Sequence, residues 1–73
     1  MANDEKAIEL LREFLKTDRN IKDAVITTDK FGNGLLEVTM DDGTDFNFYI
    51  DGHRPLYVAW DVLRFFEILG VFK

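Results

Sequence analysis

Leu35-Leu36-Glu37-Val38-Thr39-Met40-Asp41-Asp42-Gly43-Thr44-Asp45-Phe46-Asn47-Phe48-Tyr49-Ile50 holds two short alternating runs of apolar and polar residues around a turn-forming centre. Alternation of period two sends successive side chains to opposite faces of a sheet, so Leu35 to Met40 and Thr44 to Ile50 read as half-buried strands. The turn between them decides the pairing. A two-residue Asp42-Gly43 turn would set Met40 against Asp45 and Val38 against Asn47, mixing core with polar positions. A three-residue loop, Asp41-Asp42-Gly43 with Gly43 left-handed, sets Val38 against Phe46 and Leu36 against Phe48. The second register keeps one face apolar, and the rest of the fold is built on it.

Upstream, Lys22 to Lys30 is rich in β-branched residues and reads as a third strand. Asn33-Gly34 is a strong two-residue hairpin signal, and a type I′ turn there sets Lys30 opposite Glu37 and Thr28 opposite Thr39. That register predicts Val25, Thr27 and Phe31 on the face of Leu36, Val38 and Met40. It sends Ile26 to the other face, with Thr28, Lys30, Leu35, Glu37, Thr39, Asp45, Asn47 and Tyr49. Before the strand, Thr17 to Asn20 is turn-like. From Asp4 to Lys16, residues Ala7, Ile8, Leu10, Leu11, Phe14 and Leu15 share one face at helical spacing, with Glu5, Glu9, Arg12, Glu13 and Lys16 opposite. Asn3 suits the N-cap, Asp4 and Glu5 favour the first turn, and the pairs Glu9 with Arg12 and Glu13 with Lys16 are helical neighbours.

Downstream, Pro55 to Leu69 is the most apolar segment of the chain. Pro55 suits the first helical position and Gly70 the residue after the last, so the segment is predicted as a helix. Residues 53 to 58 leave open a short fourth strand, which Pro55 would confine to an edge. Placed on a helix, Val58, Ala59, Val62, Leu63, Phe65, Phe66 and Leu69 fill one arc. Asp61, Arg64 and Glu67 lie opposite, and Tyr57, Trp60 and Ile68 fall among them. Phe72, in the tail, is expected to fold back on a core edge. The expected architecture is α+β, in the order α-β-β-β-α. Its sheet is a three-stranded antiparallel meander in the order 1-2-3, with both helices on one face.

At 73 residues the chain is read as a single compact domain, 1–73, which buries only about 60% of its unfolded surface. Cysteine is absent, so no disulfide or thiolate site can staple it, and 47% hydrophobic residues with 14% aromatics must supply the core. There is no signal-peptide pattern and no apolar run near the roughly 20 residues a bilayer needs. The expectation is a cytoplasmic protein without a membrane partner. The net charge is −5, and its placement is uneven. Residues 23 to 51 carry seven acids, Asp23, Asp29, Glu37, Asp41, Asp42, Asp45 and Asp51, against Lys30 alone, a local balance of −6. Such a surface repels a phosphate backbone, so direct nucleic-acid binding is not expected.

Catalytic chemistry has little to draw on. There is no Ser and no Cys, the hydroxyl nucleophiles reduce to five Thr, and His53 is the one imidazole. Asp41-Asp42-Gly43-Thr44-Asp45 clusters oxygen ligands but lacks the alternating ligands, central Gly and distal Glu of an EF-hand loop. Phe31-Gly32-Asn33-Gly34 joins two strands, whereas a phosphate-cradling loop joins a strand to a helix. Neither a metal, a cofactor nor an enzymatic activity is expected. The small acidic α-β-β-β-α chain is similar in architecture to many small phage and mobile-element proteins that bind and inhibit host machinery. That resemblance implies a protein-binding inhibitor and is carried by no motif.

Three functional classes follow. The first is a non-catalytic protein-interaction module, an adaptor or an inhibitor of a larger protein. It would contact itself, as a homodimer, or a heterologous partner through Tyr57, Trp60, Arg64 and Ile68 on the outer face of the last helix. The bland alternative for those residues is that they roof the core. The second is an acidic decoy in which Glu37, Asp41, Asp42, Asp45 and Asp51, with Tyr49, imitate nucleic-acid phosphates in a partner's basic groove. The third is a small enzyme or ligand-binding domain centred on His53.

Overall fold

The computed structural model describes residues 2–71, and their side chains from residue 4 onward. Helix α1 spans Ala2–Leu15, strands β1, β2 and β3 span Ile21–Thr28, Gly34–Met40 and Asp45–Tyr49, and helix α2 spans Pro55–Leu69. The strands form one antiparallel sheet in the order β1-β2-β3. The fourth strand left open for residues 53 to 58 is not formed, because Pro55 opens α2.

The β2–β3 hairpin has the register that the three-residue loop requires. Val38 faces Phe46 and Leu36 faces Phe48. Gly43 is left-handed at φ +91, and the Met40 amide donates to the Thr44 carbonyl at 2.8 Å to close the loop. Two side chains reinforce the turn: Thr39 donates its hydroxyl to Asp45 at 2.8 Å, and the Thr44 amide donates to Asp42 at 2.9 Å.

The β1–β2 hairpin does not use the Asn33-Gly34 turn. Thr28 pairs with Gly34 and Ile26 with Leu36, so the connection runs over residues 29 to 33. The cause is Asp29, whose carboxylate accepts the amides of Phe31 at 2.8 Å and Asn33 at 2.9 Å and the Asn33 side-chain amide at 3.1 Å. This carboxylate-centred loop offers the backbone more hydrogen bonds than a two-residue turn. Those same bonds, with the Asn33 amide the strongest, hold the Asp29 carboxyl below its ordinary pKa. The left-handed residue is Gly32, at φ +86, and Gly34 lies in the strand. Gly34 is needed for a different reason: a Cβ there would lie 2.7 Å from Asp51 Oδ1 and 3.1 Å from Ile50 Cγ1.

The register differs from the expected one by an odd number of residues, and an odd shift exchanges the two faces of β1. Ile26 therefore lies on the helix-facing side with Ala24, whereas Val25 and Thr27 join Leu35, Glu37 and Thr39 on the outer side. Phe31, expected in the core, is exposed in the loop beside Lys30. An irregularity between Ile21 and Asp23 adds one residue to β1, so that Ile21 and Ala24, three apart, are both buried.

Both helices cover the face that carries Leu36 and Val38. The buried cluster joins Ile8 and Leu15 of α1, Leu36, Val38 and Met40 of β2, Phe48 of β3, and Val58, Val62 and Phe66 of α2. Helix α2 is seated on β3 by edge-to-face rings, with Phe65 at 4.9 Å from Phe46 and 5.5 Å from Phe48 between centroids. Contacts of this kind add about 0.5 to 1.5 kcal/mol each to the area they bury. The helix ends as its sequence predicts. Gly70 is left-handed, its amide donates to Glu67, and the Val71 amide donates to Phe66 while Val71 packs on the core.

Helix α1 departs from expectation in three places. It includes Asn3, which therefore does not cap it. Arg12 pairs with Glu9 at 3.0 Å and Glu13 at 2.8 Å, which raises its already high pKa, and Lys16 pairs with Asp23 in place of Glu13. Leu10 and Phe14, assigned by spacing to the buried face, are 60% and 64% exposed. The fold-back expected of Phe72 lies outside the described residues. Among those residues no helix is long and apolar enough to cross a membrane.

Candidate protein-interaction face

Helix α2 buries Val58, Val62 and Phe66, packs Phe65 against the core, and leaves Leu56, Tyr57, Trp60, Leu63, Ile68 and Leu69 exposed. On the outer side the rings and one guanidinium stack in sequence along the axis. His53 lies flat on Tyr57 at 4.7 Å and 22°, Tyr57 meets Trp60 at 5.7 Å, and the Arg64 guanidinium sits 5.2 Å from the Trp60 ring. Tyr57, Trp60 and Arg64 are spaced by three and four, the positions that lie above one another on a helix, and His53 reaches Tyr57 from the loop before it. Trp60 is 53% exposed, and Ile68, one turn beyond Arg64, is 71% exposed. The four residues expected to meet a partner thus share one face and do not roof the core.

The face is wider than those four. Leu56 is the most exposed large apolar residue of the helix, at 80%, and Leu63 is also open. At about 100° per residue Leu56 lies roughly 40° from Trp60. The sequence carries that signal only once residues 53 to 58 are helix and not strand. Leu63, on the core arc by angle, lies at that arc's margin and is 37% exposed.

Leu10 and Phe14 of α1 extend the same surface. The N-terminal ends of the two helices lie at the same end of the sheet, around a cleft that both Asp4 and Pro55 line. Asn20, just after α1, donates to the Val71 carbonyl just after α2 at the other end. The helices therefore run parallel, side by side. Arg12 reaches the Ala24 carbonyl of β1 on one flank of α1, which leaves Leu10 and Phe14 on the flank toward α2. The sequence signal for them is the width of the apolar arc on α1, about 160°, more than one sheet can cover.

The acidic residues are distributed differently. Glu37, Asp45 and Tyr49 lie on the outer side of the sheet, and Asp41 and Asp42 in the β2–β3 loop. Asp51 is at the opposite end, where Oδ2 accepts the Gly34 amide at 2.7 Å. The Asp42 carboxyl is held below its ordinary pKa, chiefly by the Thr44 amide. Three of the five acids expected to imitate phosphates, Asp42, Asp45 and Asp51, thus hydrogen-bond within the chain.

His53 lines the cleft between the two helix N-termini, about 550 Å³, whose floor includes Ile26 and Ile50 and whose rim carries Asp4, Glu5, Glu9 and Asp51. The carboxylates of Asp4 and Glu5 favour the N-terminal dipole of α1. Among the described residues no group of three or more His, Asp or Glu side chains is placed to hold a metal ion. The apolar outer surface of the helix pair is the feature for which packing within the chain provides no use. No protein family matches the chain, and comparisons with curated proteins and with solved structures give no match either, so the functional reading rests on this geometry.

Proposed function

We propose that the chain is a non-catalytic protein-interaction module that docks through the outer surface of its helix layer, with Tyr57, Trp60, Arg64 and Ile68 as the anchors on α2. One observation carries the reading. Seven large apolar residues, Leu10, Phe14, Leu56, Tyr57, Trp60, Leu63 and Ile68, are each between 37% and 80% exposed on the outward flanks of two adjacent helices. Aromatic side chains present about 150 to 250 Å² each and Leu and Ile somewhat less, so at these exposures the seven together leave roughly 800 Å² of mostly apolar surface in water. A soluble monomer rarely tolerates a continuous patch of more than about 300 to 600 Å², and larger ones mark contact sites. The stacking of Tyr57, Trp60 and Arg64 holds the anchors in place beforehand, which lowers the entropy lost on binding.

Site-specific photocrosslinking tests the reading. Ile68, and separately Asn47 on the outer side of the sheet, would each be replaced by benzoyl-phenylalanine and irradiated in the source cell. Protein adducts from position 68 and none from position 47 are expected. Adducts from position 47 alone would overturn the reading in favour of the acidic sheet surface.

A further inference from the structure

We infer that the partner of this face is a second copy of the chain, docked helix layer to helix layer with the two α2 helices antiparallel. The inference rests on the reading of the face as a docking surface and adds the identity of the occupant. Area is the first argument. The roughly 800 Å² of exposed apolar surface equals what each partner contributes to an interface of standard size.

Charge is the second. Lys6 and Glu13 of α1 lie opposite Ile8 on the helix, and Arg64 and Glu67 lie on the outer arc of α2, all four exposed, with Asp61 half-buried on the same arc. With two bases and three acids the face carries only −1, although the chain carries −5. Residues 23 to 51, which lie in the sheet and its loops, carry −6. Packing helix layer on helix layer sets the two acidic sheets apart by two helix diameters, each about 10 to 12 Å. That is about two Debye lengths at 0.1 M salt, so self-repulsion is largely screened.

Symmetry agrees. A two-fold interface is self-complementary, so a residue on one side of the axis must meet its opposite number on the other copy. On α2, Tyr57 and Ile68 lie on one flank and Trp60 and Arg64 nearer the crest, and the midpoints of the two pairs fall within half a residue of each other, near position 62. An antiparallel pair then brings Tyr57 of each copy to Ile68 of the other. It also brings Trp60 to Arg64, a pairing whose attraction is already seen within one chain at 5.2 Å. A heterologous partner would place no such demand on the spacing.

Sedimentation equilibrium from about 1 to about 500 µM, spanning the micromolar affinities expected here, tests the inference. Wild type should approach twice the 8.5 kDa monomer mass as concentration rises. Ile68→Glu should weaken association at least about tenfold with an unchanged far-UV circular dichroism spectrum, because Ile68 is exposed. Asn47→Glu, on the sheet's outer side, should leave association unchanged, and added salt should not weaken it. Wild type that stays monomeric throughout, or association that Ile68→Glu leaves intact, overturns the inference. A monomer that still gives heterologous adducts from position 68 overturns only the second-copy partner. A monomer with no adduct from position 68 overturns the docking reading as well.

Discussion

Two residues of the β1–β2 connection show how a single side chain redirects a hairpin. Asp29 gathers three N–H donors into its loop, and its lowered pKa is the mark of those bonds. A carboxyl whose folded pKa is depressed stabilises the fold above its unfolded pKa and loses that contribution as pH falls through the folded value. Asp29→Ala should therefore be less stable than wild type at neutral pH. The difference should close below the ordinary value of 3.8 as the wild-type carboxyl protonates. Urea denaturation across the acid range measures this, and a difference independent of pH would show that the loop is held by something else. Gly34 is the second residue. An added Cβ must displace the Asp51 carboxylate that accepts the Gly34 amide. Gly34→Ala should cost about 1.5 to 3 kcal/mol, the range for a hydrogen bond to a charged acceptor. Stability equal to wild type would mean that Asp51 moves aside freely.

At the scale of the element, α2 divides into two faces with separable consequences. Phe66 is fully buried and meets the rings of Phe46 and Phe48 at 6.2 and 5.9 Å. Phe66→Ala should cost about 3 to 5 kcal/mol, much of the 5 or so kcal/mol that holds a small domain together. Trp60, larger but half-exposed, contacts Tyr57 and Arg64 on the surface, so Trp60→Ala should cost under about 1 kcal/mol. Chemical denaturation of the two variants compares them directly. A loss at Trp60 as large as that at Phe66 would place Trp60 in the fold and remove it as an anchor. The legible part of this helix was considerable: Pro55 and Gly70 marked its ends, and angular position separated Phe66 from Trp60 and Ile68. Leu56 falls outside the arcs read from the sequence because residues 53 to 58 leave a fourth strand open, and the face of a residue there depends on which is formed.

For the whole molecule, the two layers differ in how much apolar surface they leave exposed. Residues 23 to 51 of the sheet and its loops carry −6 and the helices α1 and α2 carry −2 and −1, while the helix layer alone has an apolar crest. The concentration of acid in residues 23 to 51 is readable by counting along the chain. The extent of the crest was not, because Leu10 and Phe14 are 46 residues or more from Trp60 in sequence and belong to the same surface only once the helices lie parallel on one sheet face. An apolar arc on a helix says that some of its residues are buried. Which of them are left over depends on how much of the arc its neighbours cover.

The sequence by itself determined the elements, their order, the α2 ends and the β2–β3 register. Each of these follows from local chemistry: the period of the apolar residues, a proline that fits a first turn, and glycines that can be left-handed. Only the tertiary structure decided the β1–β2 register, the inward turn of Ile26 and the shared face of α1 and α2. The bonds that gather residues 31 and 33 to the Asp29 carboxylate set the length of the loop, and an odd shift in a strand exchanges its faces. Strand alternation is equally satisfied by either face until the helices cover one side, and the covered side carries Ala24 opposite Val38.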